Sequence, residues 1–332
     1  MTRLLDALAR RPVDRPPLWI MRQAGRYLPE YRELRRRHGF QESIRDPRIA
    51  AEITLQPIRR FGFDGAILFA DIMTPLEAMG VHVTFDPGPK LTPATLAEVA
   101  DLPDLDLERV ANVAETLRLV REAVPAEVTI IGFAGAPTTL LAYLLEGGAS
   151  KDHLLLRRAM HTGGGELDAA LDTLARAMHA YLTMQIDAGA QVVQLFDSWA
   201  GVLPRELLET RAFPAAASVL ADLDVPTIYF APGAGHALAS MRSVGADAYG
   251  VDWRIPIDEA WDTLGGDVAI QGNLDPALLL TDPTTIRAAV DDLLTRTAGR
   301  PGHVVNLGHG IDRRTPLEHV AALVAAVRGG ER

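Results

Sequence analysis

Val128-Thr129-Ile130-Ile131-Gly132-Phe133 is a short, uninterrupted apolar run that leads through Ala134-Gly135-Ala136-Pro137 into a helix-like stretch at 138–146. A continuous rather than alternating apolar pattern is what a parallel strand covered on both faces requires. Seven more runs of this kind occur, at 18–21, 65–69, 192–196, 227–230, 248–251, 268–271 and 304–307. Amphipathic patterns lie between them. One spans 107–124, with Val110, Val113, Leu117 and Val120 at three- and four-residue spacing; others span 167–186 and 316–327. Eight strand-then-helix units predict an α/β fold, a (β/α)8 barrel formed as a single domain over residues 1–332. A doubly wound sheet fits less well, because it usually has fewer strands and a phosphate-binding fingerprint after the first. Within the longest interval, 70–127, Val81 to Phe85 alternates and runs into Asp86-Pro87-Gly88-Pro89. A hairpin insertion is therefore expected near 81–92. Gly163-Gly164-Gly165 reads as a break between helices.

The 332 residues carry 33 Lys+Arg against 43 Asp+Glu, a formal net charge of -10, with 48% hydrophobic and 23% charged residues. Such usage belongs to a globular chain and excludes a disordered or fibrous one. There is no Cys, which removes disulfides, thiolate nucleophiles and cysteine metal sites together. The N-terminus carries Asp6 and Asp14 among its arginines and lacks a long apolar stretch, so no signal peptide is expected. The apolar runs are too short to span a bilayer. A cytoplasmic protein that binds neither nucleic acid nor membrane is the expectation, since an acidic chain repels both on average. The charge is unevenly spread. Residues 1–60 hold 14 Arg and 7 Asp+Glu, a local +7, which leaves -17 for the rest. Guanidinium forks match carboxylates two hydrogen bonds at a time, so this segment could receive a carboxylate-rich small molecule.

In a barrel, chemistry sits in the loops that leave the C-terminal ends of the strands. Those positions hold Arg22-Gln23-Ala24-Gly25-Arg26-Tyr27, Asp71, Gly132 to Pro137, Asp197-Ser198-Trp199, Pro232 to His236, Asp252-Trp253, Gly272-Asn273 and Gly308-His309-Gly310. Neither lysine, Lys90 or Lys151, stands at a strand end, which disfavours Schiff-base and pyridoxal chemistry. No HExxH spacing, phosphate loop or G-x-S-x-G is present. What remains is acid–base or electrostatic chemistry, without a bound cofactor, on a substrate met by arginines.

Five segments resemble the uroporphyrinogen decarboxylase family, in family order. They are Met21-Arg22-Gln23-Ala24-Gly25-Arg26-Tyr27-Leu28-Pro29-Glu30-Tyr31, the run Gly132 to Pro137, Gln194-Leu195-Phe196-Asp197-Ser198-Trp199-Ala200-Gly201, Gln271-Gly272-Asn273-Leu274-Asp275-Pro276 and Asn306-Leu307-Gly308-His309-Gly310. The resemblance implies a (β/α)8 barrel that removes the carboxyl groups of the four acetate side chains of uroporphyrinogen III. The product is coproporphyrinogen III, no cofactor is used, and the enzyme is a homodimer. It further implies that Asp71 and Arg22 are catalytic. Arg22, Gln23, Ala24, Gly25, Arg26, Asp71, Tyr143, Ser198 and His309 would bind substrate, and no metal is expected. Plainer roles stand beside these. Asp71 could be a helix N-cap, Arg22 and Arg26 could pair with Glu30 or Glu33, and His309 could bond backbone carbonyls. Tyr143 could pack in the core, and Ser198 could be an N-cap. Arg35-Arg36-Arg37 reads as a solvated helix face, and Trp19, Trp253 and Trp261 as core or dimer contacts. Two departures from the family pattern are Pro232, where many relatives have Lys, and a short hairpin at 86–92. A related corrinoid methyltransferase would need a zinc site of His and Cys, which the missing Cys opposes. A non-catalytic tetrapyrrole carrier would predict loss of Asp71 or Arg22.

Overall fold

The computed structural model describes residues 2–85 and 88–329. Nine strands occur among them: β1 (Gly65–Ile67), β2 (Val83–Phe85), β3 (Pro89–Leu91), β4 (Thr129–Gly135), β5 (Val192–Phe196), β6 (Thr227–Phe230), β7 (Ala248–Gly250), β8 (Ala269–Leu274) and β9 (His303–Leu307). Seven form one parallel sheet in the order β1-β4-β5-β6-β7-β8-β9. Helices lie between successive strands, as parallel crossovers demand. The apolar runs are buried along the strands: all seven residues of β4 and all six of β8 are covered.

The first expected strand, 18–21, departs from regular structure. Leu18 makes only an isolated parallel bridge to Val305. On one side Val305 N–H donates to Pro17 O at 2.9 Å; on the other Asp64 N–H donates to Leu18 O at 2.8 Å. The segment thus sits between β9 and β1 and closes the curled sheet. It is not a ladder, for a chemical reason. Pro16 and Pro17 have no N–H, and of the N–H groups that follow only that of Trp19 reaches β9, at 3.4 Å from Val305 O, while side chains take those of Leu18, Ile20 and Met21. Leu18 N–H donates to Asp64 Oδ2 at 2.8 Å, Ile20 N–H to Gln23 Oε1 at 3.2 Å, and Met21 N–H to Asn306 Oδ1 at 3.0 Å.

A similar substitution occurs at β4. Because β1 ends at Ile67, paired with Ile131, Phe133 has no strand beside it there. The buried Gln185, on the long helix Gly165–Asp187, fills the gap. Its Oε1 accepts from Phe133 N–H and its Nε2 donates to Phe133 O, both at 2.9 Å.

The hairpin forms as expected, with β2 antiparallel to β3 and Val83 opposite Leu91. Asp86 and Pro87, between the two strands, lie outside the described residues. The 107–124 pattern divides into a 3-10 turn, Leu107–Val110, and a helix, Ala111–Ala123. Gly163 and Gly164 both have positive φ and separate two helices. Trp19 and Trp261 are buried; Trp253 is partly exposed. The buried apolar side chains form one continuous cluster. No helix among the described residues is long and apolar enough to cross a membrane.

Candidate active site

The closing segment delivers the arginine loop to the barrel mouth. A tight turn, Gln23 N–H to Ile20 O at 3.0 Å, is followed by Leu28 N–H to Gly25 O at 3.0 Å, and the helix Pro29–Arg37 begins beyond it. Gln23 is buried, and its Nε2 donates to Gly65 O at 2.9 Å, so its side chain ties the loop to β1. Arg22 stands at φ +62°, a left-handed conformation costly for a residue with a Cβ and found where surrounding structure enforces it. Among the described residues the N–H groups of Ala24 and Gly25 have no acceptor.

Most arginines of the basic segment are committed elsewhere. Arg3 and Arg15 bind Asp64, Arg45 binds Glu77, Arg59 binds Glu52, and Arg60 binds Glu30. Glu33 takes Arg36 and Arg37. The exposed guanidiniums of Arg22 and Arg26 have no polar partner among the described residues. The expected alternative pairing with Glu30 or Glu33 therefore does not occur. Arg36 and Arg37 form a solvated face as read from the sequence, while Arg35 donates to His38 O and stacks over Phe40.

Asp71 follows β1 across the mouth. Its Oδ1 accepts from Met73 N–H at 2.9 Å, but the N-cap of the helix Thr74–Ala78 is Met73 and no side chain caps it, so Asp71 steadies the turn before the helix rather than capping it. Its other oxygen has no partner among the described residues. Burial raises its pKa to about 6, with the Met73 N–H pulling down, Glu77 up and Arg22 down. Tyr143, on the helix Pro137–Glu146, is half-buried and packs edge-on against Trp199 with centroids 6.1 Å apart. Its hydroxyl pKa is raised, first by burial, with Trp199, Asp71 and Arg22 acting after it. Asp71, Tyr143 and Arg22 therefore lie within electrostatic reach of one another.

His309 is half-buried, and among the described residues it bonds no backbone carbonyl. Burial, then Arg22 and Arg254, push its pKa down, while Asp252 pushes it up. The imidazole is consequently neutral at neutral pH. Its two glycines make close contacts, Gly308 with backbone and Gly310 with a side chain. A Cβ on Gly310 would strike the Arg22 side chain, and one on Gly308 would come within 2.5 Å of Trp253 N. Ser198 is half-buried beside Trp199; the short 3-10 helix Ala200–Val202 has no side-chain cap, so Ser198 is not one. Pro232 lies against Gly201, where a Cβ would hit its carbonyl, and Gly233 follows at φ +81°.

Beneath the polar rim is an apolar layer. Phe133, Phe196 and Phe230 meet edge to face, with centroids 5.7 and 6.2 Å apart. Deeper in the barrel, Trp19 Nε1 donates to Gln271 Oε1 and Gln271 Nε2 to Gln194 Oε1, each at 3.0 Å. Two supporting groups have no sequence-level assignment. Asp197 is buried, accepts from Thr139 Oγ1 and Tyr229 OH at 2.8 Å each, and has its pKa raised to about 6 by burial. Thr139 Oγ1 in turn accepts from Trp199 N–H at 3.2 Å, which fixes the Ser198–Trp199 turn. Asn273 Nδ2 donates to the carbonyls of Asp252 and Ile255. Only the motif context Asp-Ser-Trp hints at the first, since its partners are distant in sequence.

Residues 1–330 match the family model for uroporphyrinogen decarboxylase (URO-D). A uroporphyrinogen decarboxylase of Roseiflexus sp. (strain RS-1) is 44% identical over 98% of this chain and 97% of its own length. That of Carboxydothermus hydrogenoformans (strain ATCC BAA-161 / DSM 6008 / Z-2901) is 42% identical over 97% and 95%. This chain belongs to the uroporphyrinogen decarboxylase family. A methyltransferase from Methanosarcina mazei superposes on this family member with a TM-score of 0.80 at 25% identity, covering 98% of this chain and 97% of that one. A putative vitamin-B12 independent methionine synthase from Listeria monocytogenes shares the fold, with a TM-score of 0.60 at 14% identity over 95% and 97%. Similarity of barrel thus extends beyond the decarboxylases, and the residues at the mouth must carry the functional argument.

Proposed function

We propose that this protein decarboxylates the four acetate side chains of uroporphyrinogen III to give coproporphyrinogen III, in the cytoplasm and as a homodimer, with the substrate ring in place of a cofactor as electron sink. The family membership and the mouth geometry support this reading. The observation that carries it is one carboxylate, Asp71, within electrostatic reach of the Arg22 guanidinium, which has no polar partner among the described residues.

Each turn of the reaction begins when a proton adds to the pyrrole carbon beside an acetate, making the ring cationic. The bond from the methylene to the carboxylate breaks, its electron pair moves into the ring, and CO2 leaves. The exocyclic methylene takes a proton to become a methyl group, and the ring carbon releases the first proton. One proton is consumed per CO2. Asp71 accepts hydrogen bonds from the pyrrole N–H groups and faces the ring as positive charge develops. A fixed anion of this kind is typically worth about a few kcal/mol. At neutral pH it is mostly ionised, because its pKa is about 6. The peripheral carboxylates are received by Arg22 and Arg26, by the N–H groups around Ala24 and Gly25, and by Tyr143, Ser198 and a neutral His309. Gln23 acts indirectly by holding the loop. Arg22 orients the reacting acetate; a guanidinium with a pKa above about 12 is a poor proton donor.

Anaerobic incubation of the purified protein with uroporphyrinogen, without added cofactor, is expected to yield coproporphyrinogen on chromatography. Recovery of starting material alone overturns the assignment.

A further inference from the structure

The loop after β7 carries a guanidinium at the rim that the roles above leave unused. Arg254 Nη1 donates to Asp252 Oδ2 at 2.8 Å, and its guanidinium carbon stands 4.4 Å from the centroid of Trp253. The backbone beneath is pinned. Asp252 Oδ1 accepts from Arg254 N–H at 2.9 Å, and Oδ2 from Gly233 N–H at 2.5 Å. Asn273 Nδ2 donates to Asp252 O at 2.9 Å and Ile255 O at 2.7 Å. Asp252 is covered, whereas 56% of the Arg254 side chain is exposed. Among the described residues Asp252 is the only polar partner of that guanidinium, so its other donors are open.

This guanidinium belongs to the mouth. Gly308 is pressed on the Asp252–Trp253 backbone and Gly310 on the Arg22 side chain. His309 is therefore flanked by the loop of Arg254 on one side and by Arg22 on the other, and both guanidiniums depress its titration. Arg22 and Arg26 come from a single loop. A macrocycle with carboxylates around its whole edge needs a cation from another direction to be held in one orientation. Stacking on Trp253 and the tether to Asp252 set the plane of Arg254 in advance, which lowers the entropy lost on binding. Asp252 uses one N–H, and the free edge of the fork suits a second carboxylate.

We infer that Arg254 is a further carboxylate-binding residue of the mouth, receiving a peripheral carboxylate of the porphyrinogen across His309 from Arg22 and favouring the more highly carboxylated substrates. The inference rests on the decarboxylase reading.

Arg254→Met keeps an apolar stem on Trp253 and loses the fork; Arg254→Lys keeps the charge alone. With uroporphyrinogen, Arg254→Met should raise KM about tenfold or more with kcat within about twofold, and Arg254→Lys should fall between it and wild type. The KM increase should be smaller for the pentacarboxylate porphyrinogen, and the thermal midpoint should not move. Quenching of tryptophan fluorescence by uroporphyrin III, which needs no turnover, should give a Kd raised by a similar factor. If KM and Kd for Arg254→Met stay within about twofold of wild type, the inference is overturned. A fall in kcat and thermal midpoint at constant KM also overturns it, because Arg254 then only steadies Asp252. Failure of the wild type to convert uroporphyrinogen would instead overturn the decarboxylase reading.

Discussion

Asp71 combines a hydrogen bond from the Met73 N–H with a raised pKa, and the two can be separated. Asn at this position can still accept from Met73 N–H but carries no charge. Asp71→Asn should therefore lower turnover about tenfold or more while the fold persists, measured by product formation and circular dichroism together. The sign of the pH effect follows from the direction of the shift. Between the ordinary carboxylate pKa and about 6 the folded state binds more protons than the unfolded one, so this group makes stability fall as pH rises through that window. Activity moves the other way, because the anion is the working form. The kcat/KM profile should lose activity below pH 6, and in Asp71→Asn that limb should vanish; a limb unchanged in the variant would assign it to another group. His309 gives a second check. Arg22 depresses its pKa, so Arg22→Met should move the His309 titration upward, as followed by NMR of its ring.

At the scale of the element, side chains repeatedly stand in for strands. Gln185 supplies both hydrogen bonds that Phe133 cannot obtain from β1, and a Cβ on Gly132 would come within 2.6 Å of Gln185 Oε1. Gln185→Leu would leave a buried N–H and C=O unpaired, at a cost of about 2–4 kcal/mol in urea denaturation. The purely apolar reading of 128–133 identifies the strand but not this clasp, because a glutamine inside an amphipathic helix reads as a surface residue. The observed strand also runs to Gly135 rather than stopping at Phe133, and the helix begins at Pro137. Glycine and alanine carry little strand signal, so the end of β4 was set by pairing with β5, where Gly135 lies opposite Phe196.

For the molecule as a whole, closure of the barrel depends on Asp64. It receives Arg3 Nη1 at 2.7 Å, Arg15 Nη1 at 2.8 Å and Leu18 N–H at 2.8 Å, and so welds the N-terminal segment to the start of β1. Asp64→Ala would take away the carboxylate partner of the partly buried Arg15 and the acceptor of the Leu18 amide, while Arg3 keeps Asp14, and a loss of about 2–4 kcal/mol is expected, read as a lower thermal midpoint. Activity should fall with it at assay temperature, since the same segment carries Arg22 and Arg26. The repeat of apolar runs and amphipathic helices was enough to specify a barrel, because burial of a parallel sheet on both faces imposes that pattern locally. Strand-end positions and the family resemblance together led to the expectation that Arg22, Asp71, Tyr143 and His309 share one mouth, since strand ends converge in this architecture. Sequence left the +7 excess of the first 60 residues undivided. Tertiary structure decided which arginines are free: Arg60 meets Glu30 and Arg45 meets Glu77 across long separations, while Arg22 and Arg26 meet no acid among the described residues. It also turned the first strand into a segment held by side chains, and it pressed the Asp252–Trp253 backbone, next to Arg254, against Gly308. Local pattern reports which surfaces must be buried. The choice of partner for each charge depends on distances between residues far apart in the chain, and those exist only once the barrel is closed.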